Sequence, residues 1–206
     1  MSNAFVFPGQ GSQAIGMGKA LADHYATARA VFEEVDDALG EKLSDIVFNG
    51  PEDQLTLTAN TQPALMAVSL AALRALEAEG ISVHQHAAFV AGHSLGEYSA
   101  LAAAGALTVT DAARLLRIRG NAMQKAVPVG EGAMAALLGL DFATAVAVAK
   151  EAAEGEVCEA ANDNAPGQVV VSGTKAAVER AIVIAKEKGA MKALLLPVSA
   201  PFHCRL

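Results

Sequence analysis

The chain has 206 residues, of which 53% are hydrophobic and 18% charged, with a formal net charge of −7. That balance excludes a disordered segment, and its acidity argues against nucleic acid as a partner. Two cysteines, Cys158 and Cys204, form no disulfide framework or metal spacing, and no apolar run approaches the length of a membrane span. The start, MSNAFVF, lacks a basic region followed by a long apolar core, so no secretory leader is read and the cytoplasm is the expected compartment.

Ala4–Phe7 predicts a short buried strand, and Pro8-Gly9-Gln10-Gly11-Ser12 a turn. This glycine-rich loop fits neither a Walker loop nor G-x-G-x-x-G. Helix is expected from about Ile15 to Leu39, with a break near Tyr25, then an irregular stretch from Leu43 to Leu57 turning at Asn49-Gly50-Pro51. A helix capped by Thr61 should run from Pro63 to Glu79 and stop at Gly80, with Leu65, Val68, Ala72, Leu73 and Leu76 facing the core. His84 and His86 form an H-x-H pair that nothing nearby completes, so they read as solvated loop residues.

The apolar run Ala87–Ala91 then ends in Gly92-His93-Ser94-Leu95-Gly96, and a helix-forming segment follows from Glu97. G-x-S-x-G between a strand and a helix is a nucleophile elbow. Its glycines let backbone approach backbone, the turn lifts the Ser94 hydroxyl clear, and the Leu95 amide lies at a helix N-terminus, where negative charge is favoured. His93, next to the nucleophile, is expected to pack behind the turn. A further helix, Asp111–Lys125, capped by Thr110, places Ala112, Leu115, Leu116, Arg119 and Met123 on one face. Arg119 thus points with apolar side chains, either as a structural ion-paired or snorkelling residue or as one whose partner is a substrate carboxylate.

From Gly130 the order changes. Strands at Ala133–Leu140, Val157–Asn162, Gln168–Ser172 and Lys192–Val198 alternate with helices at Asp141–Glu154 and Thr174–Lys188. This β-α-β-β-α-β order is the ferredoxin-like signature and reads as an inserted subdomain. Its last strand delivers Ser199-Ala200-Pro201-Phe202-His203, with a histidine just past a strand end, where a base could stand.

Four stretches, Phe7–Gln13, GHSLGEYSAL, Arg117–Gln124 and Pro197–His203, occur in an order that resembles malonyl-CoA:acyl carrier protein transacylases and the related acyltransferase domains of fatty acid and polyketide synthases. The resemblance implies an α/β fold: an α/β-hydrolase-like large subdomain (1–127 and 197–206) with an inserted ferredoxin-like subdomain (128–196). It implies Ser94 as nucleophile, His203 as base, the amides of Gln10 and Leu95 as oxyanion hole, and Arg119 as the arginine that binds the malonyl carboxylate. Phe202 resembles the malonyl-preferring members. Malonyl-CoA and acyl carrier protein are the implied partners, the only prosthetic group is the carrier's phosphopantetheine, no metal or other cofactor is needed, and a monomer is expected.

Family members continue well beyond the position of Leu206 and supply a glutamine carbonyl that orients the histidine, so the expectation is a C-terminally truncated chain. Two alternatives stay open: a serine esterase or thioesterase, and an inactive fragment that still binds carrier protein. Carrier protein is expected to dock on two basic segments, Arg114–Lys125 and Thr174–Lys192, which hold nine of the fifteen basic residues and only two of the twenty-two acids.

Overall fold

The structure is a computed structural model that describes residues 3–128, 130–198 and 200–206. The chain divides into two compact units, Met1–Ala122 and Met123–Leu206. The expected subdomain boundary lay at 127/128, with 197–206 returned to the first unit; the observed division keeps 197–206 with the second.

In the first unit, β1 (Ala4–Phe7) and β2 (Phe89–Gly92) pair in parallel, from Ala4 opposite Phe89 to Phe7 opposite Gly92. One face of this pair is open, leaving Val6 74% and Phe89 69% exposed. The expected long first helix is two, α1 (Lys19–His24) and α2 (Ala26–Leu39). Tyr25 between them is extended, and Gly16 and Gly18 hold left-handed φ values of 84° and 75° that delay the start. The stretch read as irregular instead forms α3 (Leu43–Asn49) and α4 (Glu52–Thr56). Buried Asp36 anchors the first of these, accepting from the Ser44 amide at 2.9 Å and its hydroxyl at 2.6 Å.

The long helix α5 (Thr58–Ala78) starts five residues before the expected Pro63 and carries that proline inside it. Thr61 is no cap: its hydroxyl is buried and donates to the Leu55 carbonyl at 2.5 Å. Leu65 and Leu73 are buried as expected, whereas Leu76 is exposed, because the N-terminal half of α5 is buried around most of its circumference and only the second half is one-sided. A short helix, α6 (Val83–His86), carries the two exposed histidines, and no group of residues able to hold a metal occurs among the described residues. After β2 come α7 (Gly96–Ala103) and α8 (Val109–Ala126), the latter running through the division between the units. Thr108, not Thr110, caps α8, its hydroxyl accepting from the Asp111 amide at 3.0 Å, while Thr110 reaches Glu34 at 2.8 Å. The buried face of α8 is Val109, Ala112, Ala113, Leu116 and Gly120; Leu115 is exposed, one step outside it.

The second unit is ferredoxin-like in element order and strand order. β3 (Gly132–Leu138), α9 (Phe142–Ala153), β4 (Cys158–Ala165), β5 (Gln168–Thr174), α10 (Lys175–Glu187) and β6 (Lys192–Leu195) follow in sequence. They build an antiparallel sheet ordered β4-β5-β3-β6. β4 and β5 extend through most of the expected connecting loop, which leaves a tight turn at Pro166-Gly167. Asp141 caps α9 through the Thr144 amide at 2.7 Å, and Thr174 caps α10. One face of the sheet packs on both helices through Ala135, Leu137, Val169, Val171, Val148 and Val178.

Cys158 belongs to that core, and burial pushes its thiol up to about 11. Thiolate at pH 8 is then about one part in a thousand. Iodoacetamide should therefore modify half-buried Cys204 in the folded protein and spare Cys158 until denaturant is added, as mapped by peptide mass; equal labelling of both without denaturant would contradict this burial.

Three of the five basic residues of the second segment form ion pairs. Lys188 pairs with Glu151 at 3.0 Å, Arg180 with Glu154 at 3.4 Å and Glu156 at 2.5 Å, and Lys175 with Glu179 at 4.0 Å. In the first segment Arg117 pairs with Glu41. Acids distant in sequence or one turn along the helix thus pair with four of the nine basic residues of the expected docking surface.

No helix among the described residues is long and apolar enough to cross a membrane.

Candidate active site

The turn between β2 and α7 is built by steric exclusion. A Cβ on Gly92 would collide with the backbone of Gly96 and Glu97, and one on Gly96 with the carbonyls of Phe7 and Pro8. β1, β2 and the start of α7 therefore meet without side chains between them. Ser94 sits at the crest with φ 54°, a left-handed conformation that costs a non-glycine residue about 1–3 kcal/mol. The Glu97 amide donates to its carbonyl at 3.2 Å. Leu95 buries its side chain beneath the turn and caps α7, which puts its amide at the positive end of that helix. His93 turns toward the loop after β1: its amide donates to the Phe7 carbonyl at 3.0 Å, and a Cβ on Gly9 would come within 2.5 Å of its Nδ1. The residue next to Ser94 therefore packs on the Pro8-Gly9 loop.

Arg119 reaches this serine. Its Nη2 donates to Ser94 Oγ at 3.0 Å and its Nη1 to Gln62 Oε1 at 2.5 Å. Burial presses the guanidinium below its usual value, and the nearby Tyr98 and Glu97 partly offset this. Gln62, 1% exposed, also donates from Nε2 to Thr58 Oγ1 at 2.9 Å, and Thr58, fully buried, donates to Gln10 Oε1 at 3.0 Å. One hydrogen-bonded chain thus links the arginine to the loop after β1. Gln10, Ser94, Leu95 and Arg119, singled out in the sequence, all lie in the first unit. Gln62 and Thr58 escaped sequence reasoning because the helix was expected to begin after them, which left them in a loop with no face to point from.

Two residues bring α8 to the start of α5. Pro63 has no amide hydrogen, so the Ala59 carbonyl loses its helical partner, and Arg117 Nη1 donates to it at 2.7 Å and to Asn60 Oδ1 at 2.6 Å. Gly120 lies against the same turn, where a Cβ would stand 2.7 Å from Ala59 Cα and 2.8 Å from the Thr58 carbonyl. Gly120→Ala should force the helices apart, cost about 1–3 kcal/mol in urea unfolding and break the Arg119–Gln62 contact. Unchanged stability would show that α8 can shift freely.

His203 lies in the second unit. Its segment docks on the sheet face away from α9 and α10, where Ala200 and Phe202 join Met134 and Val170 in a buried cluster and Pro201 covers Gly132. Glu159 holds the far side, accepting from the Arg205 amide at 3.1 Å and from its guanidinium at 3.3 Å. Between these anchors His203 takes φ 58° and exposes its side chain. Ser199 lies outside the described residues.

The elbow sets a strained serine beside a half-buried arginine, and the chain belongs to the acyl transferase domain family, whose model matches residues 4–205. It is 52% identical over 204 residues to a malonyl CoA-acyl carrier protein transacylase of Bacillus subtilis (strain 168), matching 98% of this chain and 63% of that protein. The crystal structure of an acyl-carrier-protein-S-malonyltransferase from Bartonella henselae superposes with a TM-score of 0.93 at 64% identity, over 98% of this chain and 65% of that one. A malonyl-transacylase in complex with its type II PKS acyl-carrier protein superposes with a TM-score of 0.94 at 46% identity, over 100% of this chain and 65% of that one. The chain thus spans somewhat under two thirds of the length of these relatives.

Proposed function

We propose that this chain carries the catalytic serine and acyl-binding arginine of a cytoplasmic malonyl-CoA:acyl carrier protein transacylase of fatty acid synthesis. The observation that supports this most directly is the 3.0 Å contact between Arg119 Nη2 and Ser94 Oγ, which sets a cation beside the nucleophile. A hydrolase for neutral esters has no use for that charge, and the names of the relatives point the same way.

In this reading Ser94 Oγ attacks the thioester carbonyl of malonyl-CoA and its proton passes to His203. The amides of Leu95 and Gln10 receive the developing oxyanion, each donor being worth about 3–4 kcal/mol of barrier. The carbon–sulfur bond breaks, and the coenzyme A thiolate leaves with the proton from His203. Arg119 meanwhile holds the free malonyl carboxylate. The phosphopantetheine thiol of acyl carrier protein then gives its proton to His203 and attacks the malonyl-serine; the bond from the acyl carbon to Ser94 Oγ breaks, Oγ takes the proton back from His203, and the malonyl thioester departs. The thioester is already activated, so these steps call on no metal or organic cofactor beyond the carrier's own arm, and one polypeptide suffices.

The test is a two-stage experiment followed by intact mass. Malonyl-CoA should leave a malonyl group on the protein, and carrier protein bearing phosphopantetheine should remove it, whereas carrier protein without the arm should not. Discharge to water at the same rate with or without carrier protein would favour the esterase. No adduct at all would favour a fragment that binds carrier protein without chemistry.

A further inference from the structure

Arg119 has five N–H donors, and a guanidinium half removed from water must satisfy them without losing its direction. Both hydrogen-bond partners described above, Gln62 and Ser94, are uncharged, while the nearby Glu97 acts on the guanidinium through its charge. The Gln62 amide cannot turn over at low cost. Its Nε2 donates to Thr58 Oγ1, and Thr58 in turn donates to Gln10 Oε1, a pure acceptor. Reversing the amide would aim its NH2 at the guanidinium, donor against donor. The hydrogen-bonded chain therefore fixes an acceptor oxygen on Arg119 Nη1, and Gln62 and Thr58 are too deeply buried for water to substitute.

We infer that Gln62 is a positioning residue for acyl-group charge selection: it holds the Arg119 guanidinium in place through a neutral acceptor and so leaves its positive charge for the carboxylate of the acyl substrate. A glutamate here would hold the arginine equally well and cancel that charge, so an incoming carboxylate would meet an ion pair already formed. Length and shape are common to both residues; glutamate differs in its charge and in lacking the NH2 that donates to Thr58 Oγ1, a contact the Thr58 hydroxyl can restore by turning to donate instead. The inference rests on the transacylase reading for its substrate, but the holding role stands on the first unit alone.

Gln62→Glu and Gln62→Met separate the two parts. Acyl-serine formation would be measured with malonyl-CoA and acetyl-CoA, alongside the 15N side-chain NMR signals of Arg119. Gln62→Glu should keep the hindered guanidinium signals, lower the malonyl-to-acetyl loading ratio by about tenfold or more, and do so through KM for malonyl-CoA with acetyl loading retained. Gln62→Met should lose the hindered signals and lower the ratio less. A ratio unchanged in Gln62→Glu, or equal loss of malonyl and acetyl loading in that variant, would overturn the selectivity role. Guanidinium signals unchanged in Gln62→Met would overturn the holding role, and they report even if the methionine variant loads nothing. Should the unsubstituted protein load neither acyl group, the transacylase reading fails instead, and the NMR arm still decides whether Gln62 holds the arginine.

Discussion

Ser94→Ala is expected to abolish acyl-enzyme formation with malonyl-CoA, and Ser94→Gly to do the same while raising the stability of the fold. The pair is informative because the proposed nucleophile is also the strained residue. Ser94 holds φ 54°, where its Cβ crowds the backbone at a cost of about 1–3 kcal/mol. Glycine releases that cost and takes back about 0.5–1 kcal/mol through its greater freedom in the unfolded chain. A net gain of about 1 kcal/mol in urea unfolding is expected for Ser94→Gly. Alanine keeps the strain and should leave stability near that of the unsubstituted protein, apart from the hydrogen bond from Arg119. A malonyl adduct persisting on either variant would remove Ser94 as nucleophile. A glycine variant less stable than the parent would mean that the turn is not strained at this residue.

Arg119→Ala should lower malonyl loading by two to three orders of magnitude while acetyl loading stays within a few-fold. A charge-assisted bidentate pair contributes on the order of 3–4 kcal/mol when its partner carboxylate would otherwise be stranded, and the acetyl group presents no carboxylate. The same substitution removes a donor from Ser94 Oγ, so a modest loss common to both substrates is expected beneath the selective one. Arg119→Lys should recover little, because a single ammonium cannot serve Gln62, Ser94 and a carboxylate from one fork. Equal losses for the two substrates would make the arginine a structural group. Loading assays over a range of acyl-CoA concentrations separate the outcomes, since lost carboxylate binding shows first in KM.

The elbow was legible because its requirements are local. Gly92, Ser94 and Gly96 sit within five residues, and the clashes that exclude a Cβ from either glycine are with Gly96, Glu97, Phe7 and Pro8, all at the meeting of one strand pair with the next helix. The ferredoxin-like unit was legible for a similar reason: alternating apolar periodicity and caps such as Asp141 and Thr174 mark each element in turn. The errors fell where a long-range partner overrides a local rule. Pro63 announces a helix start in sequence, but Arg117, 54 positions on, satisfies the carbonyl that the proline strands and so allows α5 to begin at Thr58. The ion pairs of the two basic segments were likewise hidden, because Glu41, Glu151, Glu154 and Glu156 lie outside them in sequence.

Sequence by itself determined the elbow that strains Ser94, the element order of the ferredoxin-like unit and the family, since each is written in short-range spacing. Only the tertiary structure decided what the arginine touches. The helical pattern of α8 placed Arg119 beside an apolar face and left its partner open between an acid and a substrate. Folding brings the first turn of α5 against Gly120, and there the guanidinium finds Gln62 and Ser94, two neutral acceptors contributed by segments 57 and 25 positions away. Contacts over such distances depend on how two helices cross, which is set by packing and not by any periodicity within either helix.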